Sequence, residues 1–216
     1  MGNGALWWAA LHRPRVIAWR RNESGTIRLN RDMPDVLVLY ASTHGHTAKV
    51  AERIADGLRT EGVEEVDVRD AAADAEILDP GAYDAVIVGG SLRAAHHQEE
   101  LVDWVKSHRA ALADRPSAFF SVSLTAADDT DEAREATQRC IDDFLAETEW
   151  TPVRSVAIAG ALQYREYNVF TRTLMRLMMR RGGHPTDTSH DYDYTDWEAV
   201  ERFGRDFAEL VAQPSR

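Results

Sequence analysis

At 216 residues the chain is long enough for one full-sized domain, and its 44% hydrophobic and 28% charged residues are ordinary for a globular protein. No apolar run approaches the roughly 18 residues that a membrane-crossing helix needs, and the one cysteine, Cys140, excludes an internal disulfide, a cysteine zinc cage and an iron–sulfur cluster, which suits a reducing cytoplasm. A net charge of −11 makes nucleic acid a poor partner.

The first 32 residues differ from the rest. Six arginines against Glu23 and Asp32 give them a charge of +4, and Trp7, Trp8 and Trp19 are half of the six tryptophans. Neither a helix period nor a strand alternation is sustained, and Asn22 to Gly25 reads as a loop. The segment is expected to be a disordered extension, or the product of a start codon assigned too early, Met33 standing two residues before the first strand, rather than a basic, aromatic membrane-touching arm. The folded domain is expected over 33–213.

From Met33 onward strands and helices alternate. Asp35 to Tyr40 is a continuous apolar run, as expected of a strand covered on both faces. Residues 47–61 place Val50, Ile54 and Leu58 on one helical stripe and stop at Gly62. Val66 to Arg69 reads as a second strand, and Ala85 to Val88 as a third, ended by Gly89 and Gly90. A helix over 98–112 carries Leu101, Val105, His108 and Leu112. A fourth strand spans Ser117 to Leu124, and a helix over 131–147 turns Ala133, Ala136, Cys140 and Phe144 inward. Ser155 to Leu162 is a fifth strand, and helices over 167–181 and 195–212 follow. Strands alternating with helices at this spacing require crossovers, hence an α/β doubly wound five-stranded parallel sheet with helices on both faces. In such sheets ligands bind at the carboxyl ends of the strands.

The loop after the first strand, Ser42-Thr43-His44-Gly45-His46-Thr47, sets three hydroxyls and a glycine against a helix N-terminus. Free N–H groups and the helix dipole favour a phosphate there, and the absence of a following lysine excludes the triphosphate P-loop. The loop after the third strand (Gly90, Ser91, Leu92, Arg93, then His96 and His97), the start of the loop after the fourth (Ser123, Leu124) and that after the fifth (Gly160, Ala161, Leu162, Gln163) bring small residues and backbone groups to the same edge, as a planar aromatic ligand needs.

Tyr40 to Thr47 resembles the FMN phosphate loop of flavodoxins. Gly90 to His96, Pro116 to Leu124, Ile158 to Tyr164, and Thr186 to Thr188 with Tyr194 to Trp197 resemble, more specifically, the flavodoxin-type, quinone-dependent protoporphyrinogen oxidase family of haem biosynthesis. The resemblance implies FMN as cofactor, with Ser42 to Thr47 on its phosphate and Ser91 to Arg93, Ser123, Leu124 and Gly160 to Gln163 lining its isoalloxazine ring. It implies removal of six electrons and six protons from protoporphyrinogen IX in three two-electron steps, with electrons passed to a membrane quinone such as menaquinone. No side chain is identified as an acid or base; the chemistry is the flavin's.

Residues 164–181 put Arg165, Arg172, Arg176 and Arg180 mostly at helical spacing, beside Phe170, Leu174, Leu177 and Met178. Such a basic stretch in an acidic chain suits propionate pairing or docking on an anionic membrane surface on the inner face of the cell membrane, as readily as an ordinary surface helix. The pairs His44/His46 and His96/His97 lack an accompanying carboxylate cluster and read as polar loop residues, so no metal is expected. Association into a homo-oligomer is expected from the fold. The competing function is a flavodoxin-like FMN electron carrier or an NAD(P)H:quinone reductase. A receiver-type signalling module is set aside, because its acidic positions hold Ser42, Thr43, Gly89 and Gly90.

Overall fold

The computed structural model describes residues 18–21, 27–30, 34–75, 78–93, 95–162 and 191–212. They fall in two compact units, Met1–Met33 and Pro34–Arg216. In the first, β1 (Ala18–Arg21) pairs antiparallel with β2 (Ile27–Asn30). The sequence there shows no sustained alternation, because four-residue strands are too short to display one. The turn-forming residues Asn22 to Gly25 between them are the readable part.

The second unit holds β3 (Val36–Ala41), α1 (His46–Thr60), β4 (Val66–Asp70), the short α2 (Ala71–Asp74), β5 (Ala85–Ser91), α3 (Glu99–Ala113), β6 (Ser117–Ser123), α4 (Asp131–Thr148) and β7 (Arg154–Ala159). The two-residue strands β8 (Ala161–Leu162) and β9 (Tyr192–Asp193) and the helix α5 (Trp197–Ala212) follow. Five strands form one sheet in the order β4-β3-β5-β6-β7, every pair parallel. The order reverses between β3 and β5, which makes their carboxyl ends the switch point of a doubly wound sheet.

Val36, Leu37, Val38 and Leu39 are all fully buried, as a strand covered on both sides requires. Leu37, Leu39, Val86, Val88 and Phe119 face Leu101, Val105, Ile141 and Phe144 of α3 and α4 in one core cluster. On the opposite face α1 and α5 cross at two glycines. A Cβ on Gly57 would stand 2.2 Å from the Glu201 carbonyl oxygen, and one on Gly204 2.2 Å from that of Ile54. The helices therefore meet backbone to backbone.

Three expectations need correction. Gly89 and Gly90 do not end the third strand, which runs on to Ser91. The Phe120 ring lies where a Gly89 Cβ would be, 2.1 Å away, and a Gly90 Cβ would meet Leu101 and the Gln98 Oε1, so these glycines serve packing rather than the approach of a flat ligand. The buried stripe of α4 is Ala133, Thr137, Ile141, Phe144 and Thr148, which leaves Cys140 at its margin. The fifth strand breaks at Gly160: β7 belongs to the sheet, whereas Ala161 and Leu162 turn away to pair with Asp193 and Tyr192. The helix over 167–181 lies outside the described residues.

Candidate functional site at the carboxyl ends of the strands

β3 delivers the chain to Ser42, and the loop closes on itself when the Gly45 N–H donates to the Ser42 Oγ at 2.9 Å. Gly45 then adopts φ +78°, a left-handed conformation that favours glycine, and a Cβ there would meet nothing within 4 Å. Backbone conformation, not lack of room, demands glycine at this position. No side chain caps α1, and no acid lies in its first turn. The N-terminal N–H groups of an α-helix lack partners within the helix, so an uncapped end with open space before it is a site for an anion. Thr43, His44 and Gly45 are exposed, while His46 and Thr47 are buried.

His46 does not turn toward this opening. Its Nε2 lies 2.8 Å from the Thr195 Oγ1, whose hydroxyl donates to the Ala159 carbonyl at 2.8 Å. Since that hydroxyl proton is committed to an acceptor, His46 must supply the Nε2–H. The ring packs edge-on to Trp197 at 5.6 Å, and Nε2 lies 4.0 Å from the Asp193 carboxylate. Burial pushes the imidazole pKa below its ordinary value, with Asp193 opposing and Lys49 assisting. The Asp193 carboxyl is held low: burial raises it, but hydrogen bonds from Thr195, the charge of His46 and the Trp197 indole N–H outweigh that.

On the other side of the switch point, the Gln98 amide Nε2 donates to the Ser91 Oγ at 2.8 Å and reaches the Ala41 carbonyl at 3.4 Å and the Thr43 Oγ1 at 3.5 Å. It thus ties the tips of β3 and β5 together, a role that nothing in the sequence signals. Its Oε1 is buried without a partner among the described residues. Arg93 and His96 exchange two backbone hydrogen bonds around a tight turn in which Ala95 takes φ 68°. The Leu92 N–H donates to the Val122 carbonyl at 2.9 Å. Ser123 is buried: its Oγ accepts from the Ala126 N–H, and its carbonyl from the Gly160 N–H at 2.9 Å. The Gly160 carbonyl in turn accepts from the Tyr194 N–H. A groove of about 300 Å³ beside these loops is walled by Ala126, Ala127, Ala159, Tyr194 and Phe203.

The structure therefore brings together Ser42 to Thr47, Ser91 to Arg93, Ser123, Leu124 and Gly160 to Leu162 at one edge of the sheet. Gln163, Arg165, Arg172, Arg176 and Arg180 lie outside the described residues. His97, read from sequence as a polar loop residue, is instead in the core. It sits 5.3 Å from the Phe119 ring and 4.8 Å from that of Phe144, with Nε2 3.0 Å from the Ser121 Oγ, and burial holds its pKa down at about 4.

Residues 37–189 match the family model described as a flavodoxin domain. The chain is 39% identical over 184 residues to a Leishmania major protein named protoporphyrinogen IX dehydrogenase (quinone), covering 85% of this chain and 79% of that one. The Escherichia coli K12 protein of the same name is 34% identical over 181 residues, covering 83% and 97%. The chain belongs to this family. The fold agrees independently: oxidised Flavodoxin 2 from Bacillus cereus matches with a TM-score of 0.51 at 21% identity, covering 82% of this chain and 99% of that one. Within the dehydrogenase family's flavodoxin domain, the uncapped start of α1 fits the phosphate of FMN. The loops carrying Ser91 to Arg93, Leu124, Ala161 and Leu162 lie at the same edge of the sheet.

Proposed function

We propose that this chain is an FMN-dependent oxidoreductase that converts protoporphyrinogen IX to protoporphyrin IX and passes the electrons to a quinone. The observation that carries the reading is the 34% identity to the Escherichia coli dehydrogenase across 97% of that protein's length. The open, uncapped helix start behind Gly45, at the switch point of the sheet, supports it from geometry. When bound, FMN supplies the acceptance of electron pairs from the porphyrinogen and their delivery to the acceptor.

The chain's own part is binding and orientation. The first-turn N–H groups of α1, with the hydroxyls of Ser42, Thr43 and Thr47 beside them, hold the phosphate through neutral donors. The backbone at Leu92, Arg93, Ala161 and Leu162 fixes the ring. In the finer reading, the acceptor is a membrane menaquinone and the protein works in haem biosynthesis at the cytoplasmic face of the membrane, as a homo-oligomer. Arg165, Arg172, Arg176 and Arg180 meet the substrate's propionates or an anionic lipid surface. What supports this part is the concentration of arginine in a stretch of an otherwise acidic chain.

The test is anaerobic. The chain reconstituted with FMN is mixed with protoporphyrinogen IX while the oxidised-flavin band at about 450 nm is followed, this band being the cofactor's own signature. Bleaching with the appearance of fluorescent protoporphyrin, reversed by a menaquinone analogue, is expected. Bound flavin that ignores the porphyrinogen overturns the substrate and favours an electron carrier.

A further inference from the structure

The four loops at the sheet edge are joined in a circuit. Gln98 links Thr43 to Ser91, Leu92 is bonded to Val122, Ser123 to Gly160, and Gly160 to Tyr194. The circuit closes where His46, the first residue of α1, meets Thr195. That last link spans 149 positions of sequence and joins the phosphate loop to the turn between β9 and α5. Thr195 is itself held from two sides, by the Asp193 carboxylate on its N–H at 3.0 Å and by the Ala159 carbonyl on its hydroxyl. Ala159 directly precedes Gly160, and Asp193 pairs with Ala161, so whatever fixes Thr195 fixes the loop Gly160–Leu162.

We propose that His46 and Thr195 are a positioning pair that sets the phosphate loop at a fixed distance from the Gly160–Leu162 loop, so that one mononucleotide-sized ligand meets both ends of its site already in register. The inference rests on the FMN reading above. The polar atoms of the pair are turned to each other: His46 is 7% exposed with its Nε2 pointing into the protein, and the Thr195 hydroxyl is taken up by His46 and the Ala159 carbonyl. The proton on that nitrogen is donated whether the ring is neutral or charged, so the link survives protonation, and burial keeps the ring neutral near pH 7.

A ligand that spans two subsites gains from their pre-set spacing, whereas a fragment filling only one does not. FMN spans both ends; riboflavin fills only the ring end and inorganic phosphate only the loop. His46→Leu, which removes the one bond of the pair, should weaken FMN binding about tenfold, and Thr195→Val, which removes that bond and the one to the Ala159 carbonyl, by at least about as much. Riboflavin and phosphate should stay within about twofold, and Thr195→Ser and His46→Gln, which keep a hydroxyl and an N–H donor, should restore FMN binding. Flavin is read by fluorescence quenching and phosphate by amide shifts at Gly45 and His46. Equal weakening of all three ligands would show a general loss of structure, and an unchanged FMN affinity would show no coupling; either overturns the pair. If the wild-type chain takes up no flavin, the FMN reading fails on its own. The pair is then decided by hydrogen exchange at the Ala161 and Leu162 amides. Exchange must quicken in His46→Leu, and unchanged exchange overturns the proposal.

Discussion

The two faces of the sheet are held by different means. Under α3 and α4, rings do the packing: Phe119 and Phe144 stack at 4.4 Å and 4°, Trp150 stands edge-on to Phe119 at 5.9 Å, and His97 stands edge-on to both phenylalanines. The polar handles are satisfied, Trp150 Nε1 by the Ser117 Oγ and Trp104 Nε1 by the Leu78 carbonyl. Where α1 and α5 cross, Gly57 and Gly204 instead let the backbones touch. Ring packing contributes much area but yields to small shifts. Backbone contact contributes little area and yields to none. The face that carries α1 and the loop before it is the unyielding one, so the start of α1 is fixed by helix geometry.

Truncation on the ring face should have the largest effect. Phe119→Ala removes a fully buried ring from the centre of the stack and should cost about 4 kcal/mol in urea unfolding, while the spectrum of bound FMN stays that of the wild type. A changed flavin spectrum would mean that the two faces are not separable. Gly204→Ala should come next, at about 3 kcal/mol, because the new methyl meets a carbonyl that cannot swing aside, and it should weaken FMN binding as well. A loss below about 1 kcal/mol would place the two faces on equal terms. His97 has a folded pKa of about 4 against an ordinary 6.5, so between these values the unfolded chain holds a proton that the folded one refuses. Stability from this residue is whole above pH 6.5 and falls as pH drops, by about 2.5 kcal/mol at pH 4.5. In His97→Phe that part of the slope should vanish; an identical slope in variant and wild type would remove His97 from the ring face's account.

The buried runs at 35–40, 85–88 and 117–124 were legible because a strand covered on both faces has no polar side to hide it. The turn from β3 into α1 was legible because glycine and hydroxyls gather between a strand and a helix. The rest depended on partners far along the chain. Nothing near His46 announces Thr195, and nothing near Gly160 says that Ala161 will leave the sheet for Asp193. His97 follows a second histidine in a polar stretch, and only the folded chain shows two phenylalanines waiting for it. The amide of Gln98 carries no motif at all, yet it joins the two central strand tips.

β4 lies at one margin of the sheet and, among the described residues, pairs with β3 alone. It alternates valine with ions: Asp67 accepts from the Tyr83 hydroxyl at 2.7 Å and lies 3.4 Å from the Arg69 guanidinium, and Asp70 caps α2 through the Ala72 N–H. A second molecule adding its own strand there would have to strip water from these charges and break a helix cap. At this margin the sheet's growth is thus opposed by chemistry rather than by shape, which works against crowded copies of the protein zipping together along β4.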